Sequence, residues 1–131
     1  IDLDAERRNG DLVRLLISED LVTASHDVSE GGLLVTIAEM ALAGDIGVTL
    51  QPPVGDVTQH AWLFGEDQAR YVITTKNEKA IHNAAIKAGA FALTVGKTGG
   101  SSLTVEPDCT ISVEELRIIH ESWLPDYMAS Q

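Results

Sequence analysis

Two consecutive glycines, Gly31 and Gly32, stand between a β-branched stretch and a long apolar one, and this junction constrains the fold more than any other feature. Before it, Leu21-Val22-Thr23-Ala24-Ser25-His26-Asp27-Val28 has the composition of a strand. After it, Leu33, Ile37, Met40 and Ala41 fall on one helical stripe, which Leu34, Ala38 and Leu42 widen. An apolar face that broad needs a large surface to cover it, and a sheet supplies one. The spacing predicts a helix over about Gly32 to Ala43, stopped at Gly44 and packed on a sheet.

The remaining elements follow from the same periodicities. Leu12, Val13, Leu16, Ile17 and Leu21 predict a first helix from about Asp4 to Glu19, with Asn9-Gly10 as a weak point. Ile46 to Leu50 reads as a short strand ended by Pro52-Pro53, and 56–63 as a short helix with Asp56 as its cap. Tyr71 to Thr75 is a strand, followed by a helix that Asn77 or Thr75 can cap and that stops at Gly89; Thr75 and Glu78 have capping-box spacing. Phe91 to Val95 and Ser102 to Val105 read as strands, with a hairpin turn at Gly96-Lys97-Thr98-Gly99-Gly100 between them. Ser112-x-x-Glu115 opens a last helix that carries Leu116, Ile119 and Trp123 and is expected to end at Pro125. This alternation predicts an α/β (α+β) layered sandwich with a mixed sheet. Two βαβ-like units, around helices 32–43 and 77–88, give it a ferredoxin-like character. No linker, repeat or low-complexity tract interrupts the chain, so residues 1–131 read as a single domain.

Charge and cysteine content exclude several functions. The net charge is −11, from 20 acidic and 9 basic side chains, which repels nucleic acid and anionic lipid. A phosphate-bearing small ligand would need helix-start amides, a Mg²⁺ ion or basic groups from elsewhere. Cys109 is the sole cysteine, so neither an intrachain disulfide nor a cysteine zinc cluster can form. No apolar run is long enough to span a membrane, and no signal peptide is visible. The first residue is Ile1 rather than Met, which reads as a piece of a longer polypeptide.

Three segments are candidates for chemistry. In Ala24-Ser25-His26-Asp27-Val28-Ser29-Glu30-Gly31-Gly32-Leu33 a strand runs into glycines that open a helix, where exposed amides favour an anion. Asp27 and Ser29 either bind a metal–phosphate group there or cap the helix. Adjacent strand residues point to opposite faces, so His26 and Asp27 make a poor acid–base pair, and His26 reads as a hydrogen-bonded structural residue. In Leu63-Phe64-Gly65-Glu66-Asp67-Gln68 two carboxylates and an amide either meet a hydroxyl-rich or amide ligand, or a divalent ion, or form a polar turn. Gly96-Lys97-Thr98-Gly99-Gly100 is not a phosphate loop: the required earlier glycine is Phe91, and a strand rather than a helix follows. His60, His82 and His120 are scattered, and Trp62 and Trp123 read as core or interface anchors.

Taken in order, these segments resemble one family. His26-Asp27-Val28-Ser29-Glu30-Gly31-Gly32-Leu33, with Ile37-Ala38-Glu39-Met40-Ala41, is similar to the signature of the aminoimidazole ribonucleotide synthetase superfamily C-terminal domain. Leu63-Phe64-Gly65-Glu66-Asp67-Gln68-x-Arg70, the Gly-Lys-Thr-Gly-Gly turn, the opening Ile1-Asp2-Leu3 and the closing Glu121-Ser122-Trp123-Leu124-Pro125 also fit, most closely the last domain of the phosphoribosylformylglycinamidine synthases. The chain departs from the pattern at Glu30 and Asp67, where the family has Asp and Ser. The resemblance implies a non-autonomous C-terminal domain of a ligase of purine biosynthesis, inactive alone, which makes formylglycinamidine ribonucleotide from formylglycinamide ribonucleotide and ammonia. It implies ATP and Mg²⁺ bound mainly by N-terminal domains, a cytoplasmic setting, and partners that include those domains, a glutaminase subunit and a small accessory subunit. Self-association through surface left bare by absent neighbours is a further expectation. Substrate- or nucleotide-binding roles carry over to His26, Asp27, Ser29, Gly31, Gly32, Glu66, Asp67 and Gln68, with no catalytic base and no metal ligand. A sister ATP-dependent synthetase (aminoimidazole ribonucleotide or selenophosphate) and a non-catalytic interaction module are the alternatives.

Overall fold

The structure, a computed structural model, describes residues 2–52, 55, 57–107 and 109–130. It divides into two compact units, each built from two stretches of chain: Ile1–Ile37 with Gly55–Thr94, and Ala38–Val54 with Val95–Gln131.

The first unit opens with α1 (Leu3–Ser18), capped by Asp2, whose carboxylate accepts the amides of Asp4 at 3.1 Å and Ala5 at 2.9 Å. Its strands are β1 (Ala24–Asp27) and β3 (Tyr71–Thr74), an antiparallel pair with His26 opposite Val72 and Asp27 opposite Tyr71. The short α3 (Gln59–Phe64) and α4 (Glu78–Ala88) complete it. Leu12 and Leu16 of α1 meet Ile81 and Ala85 of α4 in a buried cluster, flanked by Leu21, Val22 and Ile73. α1 runs unbroken through Asn9-Gly10, and both residues make contacts outside the helix. Asn9 Nδ2 donates to the Ala69 carbonyl at 2.9 Å, and a β-carbon on Gly10 would lie 3.4 Å from the Tyr71 hydroxyl oxygen.

Two expectations for this unit change. The cap of α3 is Thr58, whose hydroxyl accepts the Ala61 amide at 3.3 Å; Asp56 lies outside the described residues. Residues 91–95 are not assigned to a strand: Phe91 and Leu93 are exposed while Ala90 and Ala92 pack on the α1–α4 cluster, and Val95 meets the edge of β2 through its carbonyl, which accepts the Gln51 amide at 2.9 Å. Thr94 is held by side chains, through the bond from its hydroxyl to Glu78 and a 3.3 Å contact with His82 Nε2.

α2 (Gly32–Gly44) leads from the first unit into the second. There a four-stranded mixed sheet has the order β4-β2-β5-β6. β2 (Val48–Leu50) runs antiparallel to β4 (Gly96–Thr98) and parallel to β5 (Ser102–Val105), and β5 is antiparallel to β6 (Cys109–Ser112). Val48, Leu50, Leu103 and Val105 are buried, register partners at the pitch that places them on one face. The expected hairpin at Gly96–Gly100 is corrected: Gly96–Thr98 is itself a strand, and β2 lies between it and β5. Gly47 makes this possible, since it exchanges backbone bonds with Gly99 (2.8 Å) and Gly100 (2.9 Å), and a β-carbon there would meet Ser102 backbone at 2.5 Å.

β6 went unforeseen because its four residues run straight into the capping Ser112. That hydroxyl accepts the Glu115 amide at 3.0 Å and starts α5 (Val113–Ala129). Pro125 does not end α5 but sits inside it. It removes one backbone bond, and the stacked rings of Trp123 and Tyr127, 5.7 Å apart, bridge that turn from outside. Trp123 is thus surface rather than core, as are Ile118, Ile119, Leu124 and Met128. Arg117 ties α5 down: it donates to the Leu42 carbonyl and to Asp45, both at 3.0 Å, and reaches Glu121 at 3.4 Å. Its pKa is raised, first by the hydrogen bond to Asp45.

The class is α+β with a mixed sheet, as expected. Strand pairing differs from the ferredoxin-like pattern: β1 and β2, which flank α2, lie in different sheets, as do β3 and β4 around α4. Neither helix therefore crosses between strands of one sheet.

Candidate functional site

The two candidate segments of the first unit meet at the start of α2. The Gly31 amide donates to Glu66 Oε1 at 2.9 Å, so the chain fills with its own carboxylate the anion-favouring position that the sequence left for a ligand. Both glycines have left-handed backbones, φ +82° for Gly31 and +71° for Gly32. Gly32 also admits the backbone of the 64–65 turn: a β-carbon there would lie 2.6 Å from the Phe64 carbonyl carbon and 2.9 Å from the Gly65 oxygen.

The segment from Leu63 to Arg70 is thus held like a strap. Leu63 is buried, the Gly65 amide closes α3 by donating to Ala61 at 2.9 Å, and the Arg70 guanidinium donates to the Gly65 carbonyl at 3.1 Å. Arg70 also stands 3.8 Å from Asp67, and its carbonyl accepts the Val28 amide at 2.9 Å. Between these anchors Ala69 takes a left-handed φ of +61°, a conformation that costs a non-glycine residue about 1–2 kcal/mol.

The remaining candidates fall into place around the strap. Asp27 and Gln68 are exposed and line one open depression of about 360 Å³, together with Val28, Arg70 and Tyr71. Asp67 and Ser29 are exposed. His26 Nδ1 lies 2.7 Å from the Asp27 carbonyl, which can only accept, so Nδ1 carries the proton in that bond; Asp27 Oδ1 is 3.5 Å away. The ring thus bonds to the backbone of the next residue of its own strand.

Sequence reasoning missed Thr36. This residue is buried on the apolar side of α2, and its hydroxyl donates to the Gly32 carbonyl at 3.1 Å, with the Asp27 carbonyl at 3.4 Å. A threonine four residues after a helix-opening glycine was the available signal. Among the described residues, no group of three or more His, Cys, Asp or Glu side chains is placed to hold a metal ion. Nor is any helix long and apolar enough to cross a membrane.

The family described as AIR synthase related protein, C-terminal domain, matches residues 1–106. The chain belongs to that family. Among curated proteins the chain is similar to the phosphoribosylformylglycinamidine synthase subunit PurL of Rhodopseudomonas palustris (strain TIE-1), 49% identical over 133 residues, covering 100% of this chain and 18% of that protein. The PurL subunit of Azorhizobium caulinodans is 50% identical over 132 residues, covering 99% and 18%. The chain therefore spans about 18% of the length of the curated relatives it matches. In solved structures, PurLQS from Thermotoga maritima superposes with a TM-score of 0.73 at 23% identity over 85% of this chain and 21% of that one. T. maritima PurL complexed with ATP gives 0.70 at 21% identity over 83% and 21%. At those identities the likeness is one of fold.

Proposed function

We propose that this chain is one domain of an ATP-dependent ligase that converts formylglycinamide ribonucleotide and ammonia to formylglycinamidine ribonucleotide. The observation that carries the reading is similarity along the whole chain, both glycine-bearing segments included, to PurL subunits at 49% identity. A relative five times longer supports a division of labour in which this domain is one wall of a shared cleft, inactive by itself.

The donor set fits that division. The Gly31 amide, which the sequence offered to a phosphate, is bonded to Glu66, which favours a nucleotide site elsewhere. Nucleotide and metal are assigned to other domains of the polypeptide. Exposed Asp27, Ser29, Asp67 and Gln68 remain for the substrate side, while Gly31, Gly32 and His26 shape the backbone beneath them. Partners on this reading are those other domains, a glutaminase subunit and a small accessory subunit, in the cytoplasm. The exposed apolar face of α5, from Ile118 to Met128, leads the isolated chain to self-associate.

ADP release by the longer polypeptide, given formylglycinamide ribonucleotide, ammonia and Mg²⁺–ATP, tests the reading, with the 131-residue chain assayed alongside. Turnover by the long polypeptide and none by the chain is expected. No turnover by a well-folded long polypeptide overturns the substrate assignment.

A further inference from the structure

Glu66 can be read in two ways, as a group that touches a ligand or as one that holds the segment that does. Three contacts bear on the choice. Its Oε1 accepts the Gly31 amide at 2.9 Å across 35 residues of sequence. Directly beside that bond, the missing side chain of Gly32 lets the Phe64–Gly65 backbone close onto the start of α2. At the far end of the strap, Arg70 is fixed by its bonds to Gly65 and Val28. Between them, Ala69 is tied to α1 by the Asn9 bond at 2.9 Å and Asp67 stands 3.8 Å from Arg70, while the bond from Glu66 reaches the start of α2. A ligand phosphate at the Gly31 amide would have to displace a carboxylate already seated there.

We propose that Glu66 is a positioning residue: its carboxylate, bonded to the Gly31 amide, pins the strap to α2 and so sets where Asp67 and Gln68 stand beside Asp27. The start of α2 is then an internal joint, and contact with substrate passes to the depression lined by Asp27 and Gln68. The kinetic part of this inference rests on the ligase reading; the structural part does not.

The test compares Glu66→Ala with Glu66→Gln in the longer polypeptide, since glutamine keeps an oxygen that can accept the Gly31 amide. Hydrogen exchange of the Gly31 amide, read by mass spectrometry in the peptide spanning 27–33, should speed up about tenfold in Glu66→Ala, the effect of losing one charge-assisted hydrogen bond, and Glu66→Gln should keep most of the protection. KM for formylglycinamide ribonucleotide should rise several-fold in Glu66→Ala with kcat changed by about twofold or less, and Glu66→Gln should again recover most of the loss. Equal exchange in wild type and Glu66→Ala overturns the proposal. So does a Glu66→Gln variant that keeps its amide protection yet loses KM as fully as Glu66→Ala, because the charge would then touch substrate directly. If the wild-type polypeptide turns over none of this substrate, the ligase reading falls while the exchange arm still decides the role of Glu66.

Discussion

Gly32 lies so close to Phe64 that a β-carbon on the glycine would sit 2.6 Å from the Phe64 carbonyl carbon. The obstacle is backbone, which cannot rotate away as a side chain can. Gly32→Ala also forces alanine into φ +71°, and such a conformation alone costs about 1–3 kcal/mol. Gly89 is the control, with φ +66° and nothing within 4 Å of its missing β-carbon. Urea denaturation should show Gly32→Ala as clearly more destabilising than Gly89→Ala; equal losses would mean that the close approach carries no weight.

The α1–α4 cluster predicts a second contrast. Leu16 is 1% exposed and packs with Ile81 and Ala85, whereas Ile86 on the outer side of α4 is 75% exposed. Leu16→Ala should cost about 2–5 kcal/mol by opening a cavity, and Ile86→Ala should stay within about 0.5 kcal/mol of wild type. Paired denaturation curves measure both.

Arg117 joins α5 to the end of α2 through Asp45 and the Leu42 carbonyl. Lysine keeps the charge but lacks the planar fork that reaches both acceptors at once, so Arg117→Lys should lower the melting temperature slightly, and less so at high salt. The raised pKa of Arg117 has a definite sign. A base whose folded pKa lies above its unfolded one contributes stability that is complete below the unfolded value and lost only as pH climbs through the folded one. For a guanidinium that loss falls well above pH 10, so thermal scans at rising pH up to about 10 should show no unfolding step that Arg117→Lys removes.

Much of this architecture was legible in the residues, for reasons that are local. The helices announce themselves by stripes such as Leu33, Ile37 and Ala41 and by caps a few residues away; Asn77 caps α4 as its spacing allowed. Even there a rival interaction decided one detail. Thr75, the other candidate cap, instead donates to the Leu21 carbonyl at 2.7 Å and accepts the Asn77 amide at 2.9 Å.

Pairing was not legible, because backbone bonding partners leave little trace in side chains. Phe91–Val95 has strand character but is not a strand, with Val95 alone bonded to the Gln51 amide at the edge of β2, whereas Gly96–Thr98, glycine-led and unpromising, pairs with β2. The candidate site divides the same way. Each of its two segments was visible alone, but no pattern within either one says that Glu66 will close on Gly31.

The placement of β2 has a consequence in time as well as in space. Val48 finds its neighbours Thr98 and Leu103 only after α3, β3 and α4 have been made. A chain emerging in order from its N-terminus holds every strand and helix of the first unit before it can build the second unit's sheet. Until Gly96 arrives, Val48 to Leu50 waits with both of its edges bare, the interval in which a strand of this composition is most open to pairing with the wrong chain.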